Sequence, residues 1–404
     1  MDLGERTFER AVLAWDADPS RSGFQGIAFT GTFDGRGHIL HNLDIRSSGE
    51  DRSHVGLFGM IGEGGQVRNL RLVNVTIRSG EHAAYVGTLA GQVEHAVILN
   101  CSSWGTIRAD EESRHIGGLV GAFQGSSLME RCSSSGHVHS KEDSDNVGGL
   151  VGWSAYGSDI RRSYADCVIH GDEAEDVPGC HGGLVGFNDG SSIVECLAVG
   201  DVTAKKDVVL GGLVGRHGGG AAEGQIVNCY SLGNVVADGG ASVVGGAIGI
   251  CDDVVINSYS TGVVGADAGS SHAGGFIGLG GERAVGCFWD VETSGAATSP
   301  GADGKTTEQM MRLSTFVHAG WPFDGEDGPV WRMCMDGIGY PRLVWHAARR
   351  GDLRCPDGAG MEDLRLLAES WLADDVESYG RADVTGDGRV LLDDFDVFST
   401  HWNP

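Results

Sequence analysis

Short runs of aliphatic residues alternate with glycine and polar residues along most of the chain, and the alternation recurs at a nearly fixed period. A glycine-rich aliphatic block marks this period and occurs eight times. The copies read VGLFG, VGTLAG, GGLVG four times, GGAIG and GGFIG, and they end at Gly59, Gly91, Gly121, Gly152, Gly186, Gly215, Gly249 and Gly278. Each unit holds two or three short runs rich in valine and isoleucine, which predicts strands separated by turns. Such a unit has to stack on its neighbours to bury its apolar side, so we expect a mainly β protein built as a parallel β-solenoid.

A cysteine or serine follows the last seven of the eight blocks at an equivalent position. The set, called the cysteine ladder below, is Cys101, Cys132, Ser163, Cys196, Cys229, Ser258 and Cys287. Equivalent residues of stacked strands lie about 4.8 Å apart and point the same way, so we expect small buried side chains rather than disulfides or metal ligands. The next position holds Tyr164, Tyr230, Tyr259 and Phe288. If these rings face outward, they form a strip on which sugar rings can stack. If they face inward, they are part of the hydrophobic core, which is the interpretation that we favour.

The block and the I-x-x-C-x-S-x-G-x-V pattern after it resemble the GLUG-motif repeat of bacterial surface and secreted proteins, over residues 55 to 292. The resemblance implies a right-handed β-helix with coils of about 31 residues, a period within the range typical of solenoids. Phe29 to Ile45 is similar to the lead-in coil of such arrays, so the solenoid domain is predicted over residues 1–292. The N-terminal leader is short for the family, which suggests a clipped or mis-started N-terminus.

Residues 293–350 are predicted to form a connector and a cap over the end of the solenoid, because an uncovered coil exposes unpaired strand edges. Thr306 to Gln309 has the capping-box pattern that opens a helix, expected through about Phe316. Four aromatic side chains of this segment are interpreted as packing residues rather than as a ligand-stacking surface: Trp321, Trp331, Tyr340 and Trp345.

The last domain, residues 351–404, is strongly acidic and consists of two halves that align with each other, so that Asp352 matches Asp383 and Asp363 matches Asp394. The second half begins DVTGDGRVLLDD, with oxygen donors at loop positions 1, 3, 5 and 12 and a glycine at position 6, the arrangement that wraps a short loop around Ca²⁺. The calcium ligands assigned to it are Asp383, Thr385, Asp387, the carbonyl of Arg389 and Asp394. In the first half, Asp352 and Asp363 keep the spacing of the loop ends, and Asp357 compensates for the missing ligands only if the loop is re-threaded.

Two such loops, each followed by one helix, resemble a type I dockerin, a small all-α EF-hand-like module. The resemblance implies calcium as the cofactor and a cohesin-type module as the partner. Dockerins contact cohesins near loop positions 10 and 11, which are Met361 and Glu362 in the first half and Leu392 and Asp393 in the second. The alternative is a module that only caps the C-terminus.

Charge and missing motifs narrow the function. The net charge of −27 argues against nucleic acid as a partner, and no apolar run approaches the length of a membrane span. No H-E-x-x-H, G-x-S-x-G or G-x-G-x-x-G motif occurs, and no signal peptide is visible in the first thirty residues. The sequence favours a non-catalytic adhesion or display rod, extracellular or at the cell surface. Two alternatives stay open: a solenoid polysaccharide lyase or hydrolase using turn carboxylates such as Asp252 and Asp253, and a purely structural repeat protein.

Overall fold

The structure is a computed structural model of the chain. It describes all residues except 5, 19–20, 22, 48–52, 173–178, 207, 221–222, 239–242, 267–269, 325–327, 350–360, 370, 372–389, 391–393, 396–398 and 400–404. The chain forms two compact units, Met1–Lys305 and Thr306–Pro404.

The first unit is a parallel β-solenoid of eight coils, and its strands form four faces. Face 1 comprises Ala84–Gly87, Arg114–Gly117, Asp145–Gly148, Cys180–Gly182, Val209–Gly211, Val243–Gly245 and His272–Gly274. Face 2 comprises Phe58–Ile61, Ala90–Glu94, Val120–Gln124, Val151–Ala155, Val185–Asp189, Val214–His217, Ile248–Cys251 and Ile277–Gly280. Face 3 comprises Thr32–Asp34, Gln66–Arg68, Val97–Leu99, Leu128–Glu130, Asp159–Arg161, Ser192–Val194, Gln225–Val227, Val254–Ile256 and Ala284–Val285.

Face 4 contains the longest strands. It comprises Thr7–Phe8, Ile39–His41, Asp44–Ser47, Arg71–Ser79, Ser102–Ala109, Ser133–Ser140, Tyr164–Gly171, Leu197–Ala198, Val202–Ala204, Tyr230–Ser231, Val235–Ala237, Tyr259–Ser260, Val264–Gly265, Phe288–Asp290 and Asp303–Lys305. Each complete coil therefore has at least four strands, where the sequence pattern predicted two or three. The difference arises at the glycine-rich block, which forms a corner between two strands. In one coil, for example, the face 1 strand ends at Gly117 and the face 2 strand begins at Val120.

The glycines of this block allow close packing and do not supply left-handed backbone. A Cβ atom on Gly148 would overlap the carbonyl oxygen of Val151, and one on Gly149 would overlap that of Gly183 in the next coil. Left-handed backbone occurs instead at residues such as Asn100, directly before the cysteine ladder. The other non-glycine residues of that ladder-adjacent position are Asn69, Arg131, Arg162, Glu195, Asn228 and Asn257.

Both ends of the solenoid are extended by segments outside the repeats. At the N-terminal end, Thr7–Phe8 pairs in parallel with Asp44 and Ile45. At the other end, Asp303–Lys305 adds a final strand beside Phe288–Asp290, and a one-turn helix spans Val291–Ser294. The segment expected to be a connector therefore belongs, through Lys305, to the solenoid unit.

The second unit contains an antiparallel pair, Trp331–Arg332 with Arg342–Leu343. Its helices are Thr307–Met310, Leu313–His318, Val344–Arg349 and Met361–Glu369. The predicted capping box is confirmed, because the Thr306 hydroxyl accepts from the backbone N–H of Gln309 and the Gln309 side chain accepts from that of Thr306. The single helix expected through Phe316 is interrupted at Met311 and Arg312. The next helix begins at Leu313, whose backbone N–H donates a hydrogen bond to the Asp336 carboxylate.

Aromatic side chains fill the interior of this second unit. Phe316 and Trp331 are fully buried, and the rings of Trp321 and Trp331 lie 4.6 Å apart. The packing role expected for these two tryptophans is confirmed. Cys334 of this unit is disulfide-bonded.

Candidate functional site

Most of the predicted calcium ligands lie outside the described residues. These are Asp352, Asp357, Asp383, Thr385, Asp387 and Arg389, together with the predicted contact residues Leu392 and Asp393. The described part of the module contains Asp363 and Asp394, each predicted at position 12 of a calcium loop. Both carboxylates are buried, with exposed fractions of 3% and 0%. A buried carboxylate needs a partner for its charge, and each of these two has at least one polar contact in the structure.

A helix spans Met361–Glu369 and contains both contact residues predicted for the first half, Met361 and Glu362. Met361 is 68% exposed, whereas Leu367 on the same helix is buried. Glu362 lies in the same turn as Met361. The helix therefore has one side packed in its unit and leaves Met361 accessible.

The cysteine ladder lies inside the solenoid as expected. Its cysteines are buried free thiols, and rung contacts run between coils: the Cys132 N–H donates to the Ser163 hydroxyl, and the Cys196 N–H lies 3.3 Å from Sγ of Cys229. Burial raises the pKa of the Cys287 thiol to about 12. These thiols are structural side chains.

The candidate aromatic strip is mostly buried. Tyr230, Tyr259 and Phe288 are at most 4% exposed, and the rings of Tyr230 and Tyr259 stack at 5.0 Å. An exposed sugar-binding strip at these three positions is thereby excluded.

The turn carboxylates considered for polysaccharide cleavage are held by other groups. Asp253 is 7% exposed, accepts the N–H of Gly224 at 2.8 Å and lies 3.7 Å from Arg283. Asp252 forms an ion pair with Arg216 at 3.5 Å. Each carboxylate thus has its own cationic partner, which suits a structural role in the turn.

A row of basic side chains on face 4 escaped the sequence analysis. It is called the cationic lane below and consists of Arg46, Arg78, Arg108, His139 and His170, which are direct strand partners in five consecutive coils. All five are at least partly exposed. Their nearly constant sequence spacing was a usable signal, but only after the strand following the cysteine ladder had been aligned between coils.

Two histidines and a carboxylate meet at the end of this lane. Ligand atoms of His139, His170 and Asp172 lie within 4.8 Å of one another. The two imidazoles stack at 5.0 Å, and Lys205 lies 2.7 Å from the Asp172 carboxylate. Because this lysine already neutralises the carboxylate, the cluster is better suited to an ion pair than to a metal.

A buried imidazole–carboxylate pair joins the N-terminal segment to the first coil. Nδ1 of His54 lies 3.4 Å from the Asp16 carboxylate, and Nε2 lies 2.9 Å from the Gln92 side-chain oxygen. The other oxygen of Asp16 accepts the N–H groups of Asp18 and Gln25, and burial lowers the pKa of His54. The pair borders a cavity of about 330 Å³. The imidazole of His54 contacts Asp16 on one side and Gln92 on the other, so it is suited to hold the N-terminal segment against the coils.

Comparison with known proteins gives a partial match. A stretch of 114 residues is 38% identical to halomucin from Haloquadratum walsbyi; it covers 27% of this chain and 1% of halomucin. No family model matches the chain. Within the described residues, no helix has the length and apolar character needed to cross a bilayer.

Proposed function

We propose that this protein is a non-catalytic rod, displayed outside the cell, that docks through its calcium-dependent, dockerin-like C-terminal module onto a cohesin-type partner. The solenoid supplies the rod, because each coil stacks in register on the next and no helix interrupts the described part of the eight repeats. The right-handed coil of the GLUG-like repeats is part of the proposal.

The burial of Asp363 and Asp394 is the observation that carries the docking half of the proposal. In EF-hand loops the acid at position 12 is the ligand that closes the loop over Ca²⁺. These two acids occupy equivalent positions of the two halves and are both withdrawn from solvent, as two quasi-equivalent calcium loops require. The exposed Met361 lies where the resemblance places a cohesin contact.

The disulfide at Cys334 supports an extracellular location. Disulfides persist in oxidising compartments and are rare in the reducing cytosol. The eight cysteines of the solenoid are all buried free thiols, so they are protected from the same oxidising surroundings.

Calorimetric titration of the full chain with Ca²⁺ tests the proposal. We expect saturable binding that is lost in the Asp383→Ala/Asp387→Ala variant and kept in the Glu308→Ala/Asp324→Ala variant, which removes two acids of the same unit outside the loops. Cohesin modules presented on a surface should then capture the wild-type chain in Ca²⁺ and release it in EGTA. Absence of Ca²⁺ binding by the wild-type chain would remove the docking function.

A further inference from the structure

The cationic lane is an unusual feature on a protein with 56 acidic and 29 basic residues. Arg46 pairs with Asp44 in its own strand, at 2.9 Å. Arg78 and Arg108 have no ion pair with any residue that the structure describes. Two adjacent guanidinium groups therefore lack a carboxylate partner among those residues, although acidic residues outnumber basic ones in the chain.

The register of face 4 places these charges where they repel one another. Arg46 lies opposite Arg78, and Arg78 lies opposite Arg108. Like charges directly opposite in adjacent strands destabilise a sheet. Asp172 pairs with Lys205 and lies 4.0 Å from His170 at the end of the lane, and Asp110 pairs with Lys141, so neither carboxylate forms an ion pair with Arg78 or Arg108. A bound polyanion would relieve the repulsion.

Trp104 adds a different kind of contact on the same face. Its side chain is 52% exposed on the strand Ser102–Ala109, which also carries Arg108. The two residues are separated along the strand by roughly 13 Å. A register irregularity falls directly after Trp104, between it and Gly105. An exposed indole can stack on the apolar face of a sugar ring, but Trp104 lies to one side of the lane, because the strands run across the rod axis.

The charge and the spacing of the lane fit one class of ligand. Successive coils repeat at about 4.8 Å, so the three guanidinium groups from Arg46 to Arg108 span roughly 10 Å along the rod. This pitch is close to the length of one pyranose residue in an extended glycan, and guanidinium groups bind carboxylates well. We propose that the cationic lane binds an extended polyuronate chain lying along the rod axis. This inference rests on the proposed rod function and names its ligand.

Affinity for oligogalacturonate measured by calorimetry on the full chain, at low ionic strength and in EGTA, tests the inference. The wild-type chain should bind, and the Arg78→Gln/Arg108→Gln variant should bind at least tenfold more weakly. The Arg68→Gln/Arg161→Gln variant is the matched control, because it removes the same charge from side chains of face 3. It should bind like the wild type. Increasing salt should weaken binding, as expected for exposed charges.

A second comparison separates a glycan site from general attraction of anions. The wild-type chain should bind oligogalacturonate more tightly than inorganic polyphosphate of the same total charge, and the Trp104→Ala variant should bind oligogalacturonate like the wild type, because Trp104 lies beside the lane. Equal binding by the wild type and the Arg78→Gln/Arg108→Gln variant would overturn the proposal, as would no binding by the wild type. Equal affinity of the wild type for oligogalacturonate and polyphosphate would replace the glycan with a generic polyanion. Because EGTA is present, these outcomes are independent of calcium-dependent docking.

Discussion

The side-chain amide of Asn146 donates a hydrogen bond of 3.1 Å to Nδ1 of His115, one coil away on face 1. Nδ1 of His115 is therefore unprotonated. Both residues have left-handed backbone, with φ of 52° and 54°, and His54 and Tyr85 occupy the same position in earlier coils with similar φ. Face 1 thus carries a stack of non-glycine residues in a conformation that side chains rarely adopt.

This contact predicts acid sensitivity of the fold. Burial lowers the pKa of His115 from 6.5 to about 4. The unfolded chain then binds more protons than the folded chain between these values, so the stabilising effect is complete above pH 6.5 and is lost as the pH falls toward 4. At pH 5 the expected loss from this residue is about 2 kcal/mol in the free energy of unfolding.

The His115→Asn variant isolates that contribution, because asparagine is the native residue at the equivalent position of the next coil. Urea unfolding at pH 7.5 and pH 5 should show a smaller pH dependence for the variant, by about 2 kcal/mol. His181, with a pKa also lowered to about 4 by burial, remains in both proteins and cancels in the comparison. Identical pH dependence of the two proteins would contradict the assignment.

The close packing of the block glycines predicts a large penalty for a single methyl group. Gly148→Ala would place a Cβ atom against the carbonyl oxygen of Val151, and backbone cannot easily move aside. We expect a loss of about 3 kcal/mol in the free energy of unfolding. Gly31→Ala is the control, because its Cβ atom would make only ordinary contacts with the Phe29 ring. Equal stability of the two variants would show that the corner tolerates a side chain.

The cysteine ladder predicts which substitutions its rungs accept. The Cys132 thiol lies 3.4 Å from the carbonyl oxygen of Glu130, and the Ser163 hydroxyl makes the equivalent contact with Arg161 at 2.8 Å. Cys132→Ser should therefore cost less than about 1 kcal/mol, whereas Cys132→Val adds a branch in a closed space and should cost about 1–3 kcal/mol. Denaturant midpoints measure both. The opposite ranking would mean that rung size is not the constraint.

The buried acids of the C-terminal module predict a calcium-linked unfolding transition. If Asp363 and Asp394 close calcium loops, Ca²⁺ at a hundredfold excess over Kd should stabilise this unit by about 2.7 kcal/mol for each occupied loop, measured by scanning calorimetry against EGTA. Asp394→Asn should remove the gain of its own loop. Asp336→Asn, outside the loops, keeps the oxygen that accepts from Leu313 and should leave the gain intact. An undiminished Ca²⁺ response in Asp394→Asn would show that Asp394 does not bind the ion.

The repeat made the solenoid and the cysteine ladder predictable, since a fixed period identifies equivalent residues wherever they lie on the coil. It did not give the strand count, because the corner at Gly117 and Gly118 is set by backbone contacts between coils. The cationic lane was missed for a related reason. Arg78 and Arg108 are partners in adjacent strands only because the register of these two strands shifts between Trp104 and Gly105. The repeat period alone does not predict where such a shift occurs. In the C-terminal module, the spacing of the predicted loop ends singled out Asp363 and Asp394 as calcium ligands, which stays a prediction; their burial is a property of the fold that the spacing does not give.

The direction of the hydrogen bonds between coils has a mechanical consequence. Backbone bonds such as that from the Ser133 N–H to the Cys101 carbonyl, at 2.9 Å, join one coil to the next along the rod axis. When the end of the chain is pulled along this axis, the hydrogen bonds between the end coil and its neighbour break first. The coils therefore separate one after another, and the strands of a whole face do not have to slide past one another at once. Each coil released, such as that from Ser102 to its strand partner Ser133, would add roughly 100 Å of extended chain. A rod held at one end could thus lengthen under load in steps of one repeat while the remaining coils keep their stacked core.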